Sequence, residues 1–190
     1  WNSPANLHDG DTATEIWRAG TAADIEGKDY YQFDWENPVS VNQVVLVSRQ
    51  GLATCPTAWR VQVLKDGADD WVEVASISDV EWEYGANDDN TLLEEKELSF
   101  ELQENVIGLR LWIDKANLTW GGYTLKEIEI YNDPDTPSGP PSEPSVPEEP
   151  ENGNYALIAE VSTNVGQDIW TEPWNSPANL HDGDTATEIW

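Results

Sequence analysis

Between residues 30 and 131 the apolar positions recur with a period near two, not near 3.6. YYQFDW (30–35) alternates aromatic and polar residues. VSVNQVVLVS (39–48), WRVQVLK (59–65), WVEVAS (71–76), KELSFEL (96–102), IGLRLWID (107–114) and YTLKEIEIY (123–131) continue the pattern. Short β-branched and aromatic runs of this kind, separated by Gly, Asn, Asp and Pro, predict strands. LKDGADDW sets a Lys-Asp-Gly turn between two of them, a hairpin signal. No stretch offers an amphipathic helix. Strands in this number and at this spacing predict an all-β sandwich with an apolar interior.

The pattern stops at residue 134. Residues 134–152, PDTPSGPPSEPSVPEEPEN, hold seven of the twelve prolines, with Ser, Glu and Asp between them. Such a stretch has almost nothing to bury and predicts an extended, hydrated linker. At ~3.1 Å per residue it reaches on the order of 60 Å. Apolar sequence resumes at NYALIAEVSTNVGQDIWTEP (154–173) and runs straight into WNSPANLHDGDTATEIW (174–190), a letter-for-letter copy of residues 1–17.

Identity over such a length at fixed spacing marks a tandem array with a period of 174 − 1 = 173 residues. An array explains both copies, whereas a circularly permuted chain has no reason to carry two. The expected organisation is a sandwich body over 1–133 without its own leading strand, the linker, and the start of the next repeat over 153–190. The leading strand then comes either from a neighbouring molecule or from the chain's own tail returning through the linker.

Charge narrows the partners. Asp and Glu number 37 against nine Lys and Arg, a net charge of −28. Repulsion makes nucleic acid and anionic membrane surfaces poor partners, and cations good ones. No apolar run approaches the ~20 residues that span a bilayer, so no membrane insertion is expected. Cys55 is the only cysteine, which excludes an intrachain disulfide. The expected address is the cell surface or the extracellular space.

ANLHDGDTATEIW, YYQFDWENPVSVNQVVLVSR, TAWRVQVLKDGADDWVEVAS, IGLRLWID and YTLKEIEIY, in that order, resemble the discoidin family. This is the coagulation-factor C-type domain, whose bacterial branch includes the family-32 carbohydrate-binding modules. The resemblance covers nearly all of 1–133, with the leading strand supplied from 153–173. It implies a jelly-roll (galactose-binding-like) sandwich that binds glycans or other surface ligands through loops at one end and often holds structural calcium. The disulfide that brackets animal members is absent here, which favours the bacterial branch.

HDGDTAT has hard-cation chemistry of its own. Calcium takes six to eight oxygens, mixing carboxylates with carbonyls, and Gly10 permits the bend that lets Asp9 and Thr14 converge. Taken alone, Asp-Gly-Asp serves equally as a plain turn with its carboxylates in water. The resemblance implies side-chain oxygens from Asp9 and Thr14, carbonyls from Asn6, Thr12 and Thr14, closure by Glu127, and the carbonyl of Lys126 beside it. In the second copy the equivalent residues are Asn179, Asp182, Thr185 and Thr187, where a complete site needs a donated glutamate.

Sugar sites pair an aromatic plane with polar groups that hold hydroxyls. Trp17, Trp35, Trp59, Trp71 and Trp112 lie in or beside strand patterns and are expected in the core. Trp120, in KANLTWGGY between two strands, is expected to be exposed. Arg49, Asn117, Trp120 and His8 are the candidate ligand-binding residues, with His8 fitting a solvent-exposed residue of the calcium loop equally well. Asn117-Leu118-Thr119 also matches the N-glycosylation acceptor pattern.

His8 and His181 are one repeat position, Cys55 has no evident base, and neither a Ser-His-Asp order nor a zinc or phosphate motif is present. No enzyme is expected. The expected function is a calcium-stabilised repeat unit of an extracellular fibre or adhesin, assembled by strand donation between repeats or chains; the alternative is a glycan-binding module of a secreted glycosidase or adhesin. The period favours the first and the fold the second. Partners follow as neighbouring repeats, copies of the chain itself, or surface glycans.

Overall fold

Two of the predicted strand pairs are continuous strands. The structure, a computed structural model, describes residues 4–49, 51–83, 92–133, 150 and 153–164. The second copy of the opening segment and nearly all of the predicted linker lie outside them. Among the described residues there are eight strands: β1 (Ile16–Ala19), β2 (Tyr30–Ser48), β3 (Pro56–Lys65), β4 (Val72–Ile77), β5 (Glu94–Ala116), β6 (Gly122–Leu125), β7 (Glu127–Tyr131) and β8 (Glu160–Thr163). YYQFDW and VSVNQVVLVS join as β2, and KELSFEL and IGLRLWID join as β5. Conversely, YTLKEIEIY divides at Lys126 into β6 and β7.

The joined strands organise the sandwich. The first half of β2 pairs with residues 108–112 of β5, and the second half with residues 94–106. The register shifts between Asp34 and Gln43 mark where the pair bends. On either side of the bend, one end carries β3 on β5, β4 on β3 and β8 on β2, and the other carries β7 on β2. β1 and β6 form a separate antiparallel pair. Every pairing is antiparallel, the jelly-roll-like arrangement of a folded-over sheet. Two four-residue helices, α1 (Ala22–Ile25) and α2 (Gly51–Thr54), occupy loops.

Alternation decides what is buried. Tyr31, Phe33, Trp59, Leu109, Leu111 and Ile113 are wholly enclosed, each at about 1.5–3 kcal/mol of hydrophobic stabilisation for a full-sized side chain. Of the tryptophans expected inside, Trp35 and Trp59 are buried, but Trp17, Trp71 and Trp112 are only half-buried. The reason is register. With Leu111 and Ile113 facing in, Trp112 must face out, where it donates to Gln62 Oε1 (2.9 Å) and packs beside Tyr30 and the Arg60 guanidinium. Trp71 lies beside Gly108, under the Arg110 guanidinium, 4.0 Å from its ring centre. Trp82 is the enclosed tryptophan that the pattern did not single out, donating to the Pro56 carbonyl at 2.8 Å.

The tail folds onto its own body. Tyr155 and Ala156, in a short 3₁₀ turn (Tyr155–Ile158), are buried, and Trp35 Nε1 donates to the Tyr155 carbonyl at 2.9 Å. β8 then extends the edge of β2 at residues 31–34. Among the described residues no helix is long and apolar enough to cross a membrane.

Gly108 is a sharp probe of the outer face, because a Cβ there would stand 2.8 Å from the Trp71 ring and 3.2 Å from Asp34 Oδ1. Gly108→Val is expected to cost about 1–3 kcal/mol in urea unfolding. An unchanged midpoint would show that Trp71 does not rest there.

Candidate functional site

The early loop and the start of β7 meet around one buried carboxylate. Local hydrogen bonds shape the loop. Asp9 Oδ1 accepts from the Asp11 amide (2.9 Å), Asp11 Oδ1 from the Ala13 amide (2.9 Å), and the Thr14 hydroxyl donates to the Asp11 carbonyl at 3.0 Å. Thr14 also reaches Asp9 Oδ2 at 3.3 Å. Gly10 adopts φ +73°, which a side chain would strain. Asn6 enters through its amide, donating to the Glu15 carbonyl at 3.4 Å.

Glu127 closes the site from β7. Its side chain is fully enclosed, and neither carboxylate oxygen has a hydrogen-bond partner of good geometry. Burial, reinforced by the Asp9 carboxylate nearby, pushes its pKa up to about 8, and the Gly10 backbone only partly opposes this. Burial disfavours the charged form of such a group. Lys126, its neighbour in the chain, is bonded elsewhere. Its side chain turns toward the loop, donating to the Thr12 carbonyl and, at 3.4 Å, to the Thr14 carbonyl, with Glu15 at 3.9 Å. Among the described residues no three His, Cys, Asp or Glu side chains gather as a metal cluster. The arrangement instead joins two carboxylates, Asp9 and Glu127, to a hydroxyl and backbone carbonyls, a donor set suited to a hard cation.

The ligand candidates divide between two places. Asn117, Trp120 and Arg49 lie on connected loops. Asn117 Nδ2 donates to the Gly51 carbonyl of α2 (2.9 Å), the Asn117 amide to Cys55 (2.8 Å) and the Thr119 amide to Ala53 (2.9 Å). The Gly20 amide donates to the Gly121 carbonyl at 2.8 Å, fastening the loop's other side. Trp120 stands 51 % exposed on this stitched loop, and Leu52 of α2 is 54 % exposed on the loop bonded to it. Arg49, which leads into α2, forms a two-pronged pair with Glu15, at 3.1 Å for each contact. His8 lies elsewhere, edge-on to Phe33 and beside Ala156, half-buried, with burial lowering its pKa. Sequence reasoning missed Leu52, Glu15 and the Lys126 side chain. The signals were weak: an apolar residue in a loop, and charges among many.

An antiparallel sandwich with stitched loops at its end and an acidic early loop sealed by a glutamate has the form of a discoidin-type module. The model of the F5/8 type C domain matches residues 1–131, and the chain belongs to that family. Solved bacterial modules share the fold. Chitosan-binding module 2 of a chitosanase/glucanase from Paenibacillus sp. IK-5, in complex with chitotriose, superimposes with a TM-score of 0.50 at 18 % identity, over 69 % of this chain and 87 % of that one. CBM32-1 of a family 31 glycoside hydrolase from Clostridium perfringens gives 0.50 at 15 % identity, over 69 % and 85 %. No curated protein sequence matches the chain.

The Glu127 geometry predicts an unusual pH dependence. Its folded pKa of about 8 lies above the ordinary 4.5, so its contribution is fully present below pH ~4.5 and is lost as pH rises through about 8. In EDTA, the melting temperature should therefore fall between pH 5 and 8. Glu127→Gln should flatten that slope, and a slope identical to the parent's would place the ionisation elsewhere.

Proposed function

We propose that the chain is a non-catalytic, calcium-stabilised carbohydrate-binding module of an extracellular protein. The observation that carries the reading is Trp120. A large aromatic half out in water on a loop fixed by backbone hydrogen bonds offers a preorganised plane for a sugar's C–H face. Asn117 precedes it on the same loop, Leu52 adds an exposed apolar side chain on the α2 loop bonded to it, and Arg49, held to Glu15, stands at the entry to α2. The family membership and the chitotriose-bound Paenibacillus relative support the same class of ligand. Domains of this family are typically extracellular binding modules without catalytic groups of their own.

Calcium is held, in this reading, by Asp9, Thr14 and Glu127 side-chain oxygens with the carbonyls of Asn6, Thr12, Thr14 and Lys126. The ion supplies the positive charge that the buried Glu127 carboxylate lacks. A carbonyl oxygen has two lone pairs, so Thr12 and Thr14 can serve both Lys126 and the ion. His8 braces the loop from the side of Ala156 and does not meet the sugar.

A second reading, that the module is one repeat of an extracellular fibre or adhesin, is favoured by the identity of residues 1–17 and 174–190. The two readings are compatible, since a repeated shaft of binding modules gains avidity.

Titration against a glycan panel tests the first reading. Micromolar binding that Trp120→Ala weakens about tenfold or more, near 1.4 kcal/mol, is expected with the melting temperature unchanged. Binding indifferent to that change would move the site away from this loop. For the ion, calcium at a hundredfold excess over Kd is worth ~2.7 kcal/mol, roughly 8 °C in melting temperature. EDTA should remove that gain, and Glu127→Gln should abolish the response.

A further inference from the structure

Residues 153–164 are joined to the body they complete by contacts that any copy of the segment could make. Asn154, almost wholly buried, uses one oxygen to accept from the amides of Ile130 and Ala156, both at 3.0 Å. Trp35 grips the Tyr155 carbonyl, and Ala156 fills the core. Leu157 lies 3.5 Å from the place a Cβ on Gly10 would occupy, so the segment also braces the early loop. At the far end, Thr163 donates to the Tyr30 carbonyl (2.7 Å), while Asn164 accepts from the Tyr30 amide (2.9 Å) and donates to the Lys28 carbonyl (2.7 Å). The segment is thus held by specific groups along its whole length, and without it residues 31–34 of β2 are an open sheet edge.

We propose that this dock is an interaction surface for a second copy of the chain: the 153–164 segment of one molecule or repeat completes the body of another. The proposal rests on the repeat-unit reading for its setting, and on the dock geometry for its chemistry. Two observations carry it. First, nothing covalent between the body and the segment fixes which copy is used, because residues 134–152 separate them and seven of these are proline. Second, the segment is followed in the same sequence by a copy of residues 1–17, so one strand stands between two stretches able to begin a body. It lies nine residues (165–173) before the second of them. The choice between donors is then one of concentration. A covalent tether makes the contact intramolecular, at an effective concentration of up to roughly the millimolar range, so a dilute single chain closes on itself. Bodies held side by side in an array experience similar concentrations and exchange strands.

Deletions decide it, because Tyr131 and Asn154 are antiparallel bridge partners. Removing residues 134–152 leaves Asn132-Asp133-Gly153 as a three-residue hairpin loop, with Gly153 already at φ +74°. That variant should remain monomeric and closed. Removing 132–153 bonds Tyr131 directly to Asn154, and the two cannot then pair within one chain. That variant should run at twice the monomer mass with the parent's circular dichroism. A stable monomer from the second deletion would overturn the proposal. If that deletion does not fold, two fluorescently labelled populations of the full chain, refolded together from urea at about 1 mM, take its place. Energy transfer between labels on the body and on residue 160 is expected, and its absence would overturn the proposal. Neither measurement involves sugar, so failure here leaves the glycan reading standing and loss of glycan binding leaves this one standing.

Discussion

The antiparallel pairing of β2 with β5 is the constraint on which everything else hangs. Residues 30–34 and 39–48 of one strand meet residues 108–112 and 94–106 of the other, with the register slipping at the bend between. Because both strands run through the bend together, the two halves of the sandwich cannot shift independently. β3, β7 and β8 each take their place from one of these two strands. The early loop, the α2 loop and the tail are positioned by what those neighbours leave open.

Buried charge is handled in two contrasting ways. Arg18 and Asp29, both nearly inaccessible, pair at 2.8 Å, and a Tyr31–Tyr123 hydroxyl contact of 2.8 Å lies beside them. There every polar group finds a partner, though burial still raises the Asp29 pKa, and the network ties β1, β2 and β6 together. Glu127 is the opposite case, a carboxyl group enclosed beside the Asp9 carboxylate rather than beside a cation. A fold that satisfies one buried charge cluster and leaves another bare concentrates its electrostatic cost at a single place. That contrast sets the early loop apart from the Arg18–Asp29 network.

The proposed sugar loop and the tail share a design in which order comes from backbone bonding to neighbouring segments. Trp120 is exposed yet its loop is pinned to α2 and to Gly20, while the tail segment of 3₁₀ turn and β8 is secured by an asparagine at each end, Asn154 and Asn164. Rigid presentation of an exposed aromatic suits recognition. Specific but non-covalent fastening of a strand suits exchange.

Period-two alternation by itself determined the all-β class and nearly every strand, because alternation records which side chains face an apolar interior. It also contained the outward placement of Trp112, since Leu111 and Ile113 had to face in. The residue types of HDGDTAT and the exposed setting of Trp120 were legible because a turn's chemistry is local. Other features were decided only by tertiary structure. That two pairs of runs are single bent strands depends on partner strands far along the chain. That Arg49 is committed to Glu15, and that His8 sits with Phe33 and Ala156 away from Trp120, depends on contacts across the fold. Most of all, nothing local in LKEIEIY distinguishes Glu127, buried and bare, from Glu129 two residues on. The two share a face of β7, and the difference arises because the early loop, through Asp9 and Gly10, meets the start of that face; burial is a property of the assembled molecule.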